Sequence, residues 1–161
     1  MRPGARFTAE CSDNVFTSVG RNNVSARLRV VLVEDALSIR QRLVALIEQS
    51  GFATVVAEFE GEDEAIAWMA DHSFDMAILD LDLRQGSGFG VLRALNALPV
   101  DRQPAIKRIV LTNYGTSRLR SIAMQLGADA FFDKSSQIED MLDFTHQWSQ
   151  MLGDRQGQAS A

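Results

Sequence analysis

Residues 75–88 read Asp75-Met76-Ala77-Ile78-Leu79-Asp80-Leu81-Asp82-Leu83-Arg84-Gln85-Gly86-Ser87-Gly88. The apolar run from Met76 to Leu79 stops at a carboxylate, Asp80, and a second carboxylate, Asp82, follows. Gly86-Ser87-Gly88 then breaks the chain before a new helical pattern. An apolar run of strand length bounded by turn signals reads as a strand buried on both faces, as in a parallel sheet. In open α/β sheets the chemistry gathers at the carboxyl edge of such strands. Asp80 stands at that edge and reads as the reactive residue.

Working outward, the same alternation recurs. Upstream, Leu28-Arg29-Val30-Val31-Leu32-Val33 is a β-branched run and reads as strand 1, ending in Glu34-Asp35. Helix 1 is expected over about 37–50, with Ile39, Leu43, Leu46 and Ile47 on one face and Gly51 as its stop. Strand 2 is 53–58, and helix 2 is 62–72 with Ala65, Ile66, Trp68 and Met69. Strand 3 is 75–80. Downstream come helix 3 (about 88–98), a loop from Pro99 to Pro104, strand 4 (105–112), helix 4 (about 116–126, closed by Gly127) and strand 5 (130–132). Ser136-Gln137-Ile138-Glu139 matches a capping box opening helix 5, expected over about 136–152. Strands alternating with helices imply an α/β fold with a parallel sheet covered on both faces. For five strands with right-handed crossovers, the flavodoxin-like doubly wound order 2-1-3-4-5 is the expected topology.

The chain has 161 residues, a net charge of −5 and one cysteine, Cys11. That length suits one domain with a sizeable core, and the acidic balance, with pI near 5.0, argues against nucleic-acid binding. A lone cysteine excludes a disulfide framework or zinc cluster. With no membrane-length apolar run and no secretory signal, the expectation is a cytoplasmic protein without a membrane role. The expected organisation is a flexible extension over 1–27, with a weak strand or short helix around Val15–Val19, a domain over 28–152 and a polar tail over 153–161. His72 and His146 fall on helices away from the strand ends and read as surface residues.

In the order 2-1-3, Glu34 and Asp35 at the end of strand 1 neighbour Asp80 at the end of strand 3. Clustered carboxylates raise one another's pKa unless a cation neutralises them. An all-oxygen set suits Mg²⁺, which keeps several waters and works beside phosphate. Thr112 ends strand 4 and offers a hydroxyl; Lys134 follows strand 5 and offers a compact positive charge. A carboxylate nucleophile, a metal, a hydroxyl and an ammonium around one point could stabilise a transferring phosphoryl group.

These residues resemble the receiver domain of two-component response regulators over about residues 28–152. The resemblance rests on Val33-Glu34-Asp35, on Leu79-Asp80-Leu81-Asp82-Leu83 with Gly88 eight residues past the aspartate, on Thr112, on Lys134, and on Phe131 three residues before it. It implies that Asp80 accepts a phosphoryl group from a sensor histidine kinase or histidine phosphotransfer protein. It also implies that Glu34, Asp35, Asp80 and the backbone carbonyl of Asp82 hold Mg²⁺, and that Thr112 and Lys134 bind the phosphoryl group. Thr112 and Phe131 would form the switch, remodelling the helix 4–strand 5–helix 5 face for a downstream protein target. The sequence departs from the family at Arg84, where proline is usual, at Asn113, where a small residue is usual, and at Ser135, which often is proline.

Helix 5 carries two apolar stripes, Ile138, Leu142, Thr145 and Leu152 beside Met141, Phe144, Trp148 and Met151. Two readings stand: a wide core face, or a homodimer or partner surface on the helix 4–strand 5–helix 5 side. The leading functional expectation is a stand-alone phosphoacceptor switch rather than an enzyme, since only a short tail follows helix 5. Asp80-Leu81-Asp82 also resembles the opening motif of haloacid-dehalogenase-type phosphatases, although Arg84 argues against that. A Toprim-type Mg²⁺ enzyme is a third reading, disfavoured by the acidic balance. A receiver-shaped binding module that is not phosphorylated is a fourth.

Overall fold

The computed structural model describes residues 27–102 and 106–158. The elements are β1 (Leu28–Val33), α1 (Leu37–Ser50), β2 (Ala53–Phe59), α2 (Glu62–Asp71), β3 (Met76–Leu79), α3 (Gly88–Asn96), β4 (Lys107–Thr112), α4 (Ser117–Gln125), β5 (Ala130–Asp133) and α5 (Ile138–Gln158). Five strands form one parallel sheet of order β2-β1-β3-β4-β5, the flavodoxin-like arrangement. The expectations for 1–26, for 103–105 and for 159–161, including Val15–Val19 and Cys11, lie outside the described residues.

Period-two alternation in the central strands divides the core into two layers. Val31 and Val33 of β1, Ala77 and Leu79 of β3, and Val110 of β4 face α2, α3 and α4, where they meet Ala65, Met69, Val91, Leu92, Leu95 and Ala123. Leu28, Val30 and Leu32, Met76 and Ile78, and Ile109 and Leu111 point the other way, toward Leu43 and Ile47 of α1 and Met141 and Trp148 of α5. Every residue of β3 is buried, as a central strand covered on both faces requires. Gly51 ends α1 in the left-handed conformation, φ 79°, with its amide bonded to the Glu48 carbonyl.

Two local expectations are corrected. The cap of α5 is one residue later than the Ser136 of the capping-box reading. Gln137 is the residue whose carbonyl accepts the Met141 amide, and its side-chain Oε1 accepts the Asp133 amide at 3.0 Å. α5 also runs past residue 152 to Gln158. Gly153 lies inside it; a glycine costs a helix about 1 kcal/mol relative to alanine but does not by itself end one. The two expected stripes of α5 form one wide core face rather than a single buried stripe: Ile138, Leu142, Phe144 and Leu152 pack half-buried against the core beside Met141 and Trp148. Met141, Thr145 and Trp148, spaced i, i+4 and i+7, are the buried residues, while Met151 is exposed. Thr145 tolerates this position because its hydroxyl donates to the Met141 carbonyl at 2.8 Å. Among the described residues no helix is long and apolar enough to cross a membrane.

Candidate phosphoryl-acceptor site

The sheet's hydrogen bonds run one residue beyond the strands and align the site. The Asp80 amide donates to the Val33 carbonyl at 2.9 Å, Glu34 to Phe59 at 3.0 Å, and Lys134 to Thr112 at 3.0 Å. The first residues past β1, β3 and β5 are thereby fixed at one carboxyl edge, beside Thr112 at the end of β4. Glu34, Asp35 and Asp80 each offer a carboxylate oxygen, and these oxygens all lie within 4.8 Å of one another. Three hard oxygen donors at this spacing fit a divalent cation such as Mg²⁺.

Glu34 is 1% exposed, Asp80 6% and Lys134 9%. The Lys134 ammonium donates to Glu34 Oε2 and, at 2.7 Å, to Asp80 Oδ2. One cation thus serves two buried carboxylates. Burial pushes the Glu34 carboxyl above its ordinary value, against the opposing pull of the Lys134 hydrogen bond and charge. Glu34 Oε1 also accepts the Ala36 amide at 3.0 Å. Glu34 thereby satisfies an amide at the start of α1. The helix cap itself is Ala36, without a side-chain bond.

The loop after Asp80 is held tightly. The Asp82 amide donates to Asp80 Oδ1 at 3.2 Å, and Asp82 bridges to Ser87. The Asp82 side chain is exposed. Ser87 caps α3 through the Phe89 amide and donates its hydroxyl to the Leu81 carbonyl. Gly86 has φ 81°, a conformation that favours glycine. Gly88 packs so closely that a Cβ there would lie 2.2 Å from the Asp80 carbonyl oxygen.

Thr112 is fully buried and its Oγ1 accepts the Tyr114 amide at 3.4 Å. Asn113, next in the chain, is exposed. Phe131 is buried, with the Arg120 guanidinium 4.9 Å over its ring. His72 and His146 are exposed, as expected from the sequence; each stacks on an aromatic ring, Trp68 and Phe52 respectively.

Two supporting residues were not singled out from the sequence. Arg40 is buried in α1. It donates to the Glu34 carbonyl at 2.7 Å and pairs with Glu58 at 3.3 Å and Glu60 at 2.8 Å. It therefore fixes the backbone of the acidic loop from below. Its signal was the spacing Arg40-Leu43-Ile47, which puts a guanidinium on the buried face. Glu62 in α2 accepts the Ser87 amide at 2.7 Å. Its carboxylate occupies the space that side chains at Gly86 and Gly90 would need; those two glycines were its signal.

The family model described as response regulator receiver domain matches residues 30–146. The photosynthetic apparatus regulatory protein RegA of Rhodobacter capsulatus is 30% identical over 112 residues, covering 70% of this chain and 58% of RegA. The acid tolerance regulatory protein ActR of Rhizobium meliloti is 32% identical over 113 residues, covering 70% of this chain and 55% of ActR. This chain therefore matches somewhat more than half the length of these relatives. A response regulator protein from Burkholderia pseudomallei, solved with a phosphorylated aspartic acid, a calcium ion and citrate, shares the fold. Its TM-score is 0.63 at 22% identity, over 83% of this chain and 75% of that one.

Proposed function

We propose a function from one premise: the chain belongs to the response regulator receiver domain family. Asp80 is the phosphoacceptor. A carboxylate oxygen of Asp80 forms the new O–P bond while the P–N bond of a donor phosphohistidine breaks and its electron pair returns to the imidazole. The observation that carries this reading is the grouping of Asp80 with Glu34 and Asp35 within 4.8 Å, touched by the Lys134 ammonium.

Glu34, Asp35, Asp80 and the backbone carbonyl of Asp82 hold Mg²⁺, which when bound supplies positive charge to the transferring phosphoryl oxygens. Lys134 supplies a second positive charge to those oxygens, and the Thr112 hydroxyl donates to one of them. Arg40 keeps the acidic loop in register. The donor is a sensor histidine kinase or a histidine phosphotransfer protein. The product is an acyl phosphate on the protein, so the chain acts as a signalling phosphoacceptor rather than a conventional enzyme. Output passes through Thr112 and Phe131 to the α4–β5–α5 face, which meets a downstream protein or a second copy of the chain. The B. pseudomallei protein, described with a phosphorylated aspartic acid and a calcium ion, supports the pairing of such a residue with a divalent cation.

The test is intact mass after incubation with Mg²⁺ and acetyl phosphate. The expected result is a gain of one phosphoryl group per chain, lost in chelator. Continuous release of inorganic phosphate over many turnovers, without a stable protein adduct, would instead mark a phosphatase and overturn the reading.

A further inference from the structure

The three carboxylates of the acidic cluster are not neutralised by the same cation. Lys134 serves Glu34 and Asp80. Asp35 is served by Arg84, whose Nε lies 3.2 Å from Asp35 Oδ2, and whose backbone amide donates to the same oxygen at 3.2 Å. The two partners differ in freedom: the Arg84 side chain is 80% exposed and that of Asp35 is 17% exposed. Arg84 stands on the wall of a cleft it shares with Asp35, Glu60, Gly61, Glu64 and Gln85. A further carboxylate in that cleft, Glu64, can receive the guanidinium if it leaves Asp35, whereas Glu60 is already paired with Arg40.

We propose that Arg84 is a positioning residue that competes with the divalent cation for Asp35, so that cation capture releases the Arg84 side chain. The inference rests on the metal reading given above. Its physical basis is like-charge exclusion. A guanidinium in direct contact with Asp35 Oδ2 repels a divalent ion that enters to bind the same carboxylate. The backbone amide of residue 84 carries no such charge and stays in place, so the loop keeps its anchor whichever cation is present. Arg84 therefore sets how much Mg²⁺ the site needs, and its released side chain changes the charge of the surface beside the phosphoacceptor. An incoming phosphoryl donor meets that surface.

The experiment is a calorimetric titration of chelator-treated protein with MgCl₂, wild type beside Arg84→Ala, with the Arg84 Nε–H signal followed by NMR in labelled wild type. The expected result is roughly threefold tighter Mg²⁺ binding by Arg84→Ala, the scale an exposed ion pair supports. The Arg84 Nε–H signal should shift with the same midpoint as the Asp35 amide. Equal or weaker binding by the variant, with wild-type binding intact, overturns the competition alone. Tighter binding with an unmoved Nε–H signal is a field effect without competition and also overturns it. No heat of binding from either protein overturns the metal reading, and the competition with it.

Discussion

Lys134 Nζ lies 2.7 Å from Asp80 Oδ2, and the same ammonium reaches Glu34. Fifty-four positions separate Lys134 from Asp80 and one hundred separate it from Glu34. Only the strand order β1-β3-β4-β5 brings them to one edge. A single buried cation between two buried carboxylates makes the site electrostatically dependent on Lys134.

Lys134→Met should therefore be strongly destabilising without metal. Removing one partner of a buried ionic cluster leaves uncompensated charge and costs about 3–5 kcal/mol. The deficit depends on pH. Glu34 already titrates above its ordinary value because of burial, and loss of Lys134 raises it further. A carboxyl whose folded pKa exceeds its unfolded one makes the folded state more stable as pH falls through the folded value. The deficit should be largest where Glu34 is ionised, shrink as pH falls and Glu34 protonates, and be partly recovered by Mg²⁺. Urea denaturation in chelator at pH 7 and near pH 4.5 checks this; an unchanged midpoint at pH 7 would contradict it.

Glu48 offers the opposite sign. Its Oε1 accepts the Val55 amide at 2.7 Å and the Thr54 hydroxyl at 2.8 Å, tying the end of α1 to β2. These bonds, the backbone one first, hold its carboxyl below the ordinary value. The stabilisation is thus fully present above 4.5, the unperturbed value, and is lost as pH falls through the lowered folded value. Glu48→Gln should cost about 1 kcal/mol at pH 7, the charge assistance of the two hydrogen bonds. Thermal melts of both proteins should converge in acid.

Gly88→Ala should damage both stability and phosphoryl acceptance. The added Cβ would meet the Asp80 carbonyl oxygen at 2.2 Å, and a backbone atom in a buried strand end cannot swing aside. Overpacking of this kind costs about 1–3 kcal/mol, outweighing the better helix propensity of alanine. The displaced backbone is that of the phosphoacceptor, so the yield of phosphorylated chain should fall under conditions that leave the variant folded. A full yield would show that the close approach is not needed.

Much of this arrangement was legible in the sequence because its parts are local. Val30 to Val33, Met76 to Leu79 and Ile109 to Leu111 are apolar runs that stop at polar residues, and those residues line the carboxyl edge. Glu34, Asp35, Asp80, Thr112 and Lys134 could be singled out for that reason. What escaped notice depends on partners distant in sequence. Arg40 reads as one more helix cation until Glu58 and Glu60 of the next strand and loop close on it. Glu62 reads as a first-turn acid of α2 until Ser87, twenty-five residues on, donates to it. On α5 the sequence left two readings open because both apolar stripes are of similar strength; the packing of Ile138, Leu142, Phe144 and Leu152 beside buried Met141 and Trp148 is that of the wide core face.

The most direct measurement locates the phosphoryl group. Protein incubated with Mg²⁺ and acetyl phosphate is reduced with borohydride, which converts an aspartyl phosphate to homoserine, and is then digested and sequenced by mass spectrometry. Homoserine should appear at position 80, and Asp80→Asn should yield none anywhere in the chain. Homoserine at another aspartate in the wild type, or undiminished labelling of Asp80→Asn, would contradict the assignment of Asp80 as the acceptor.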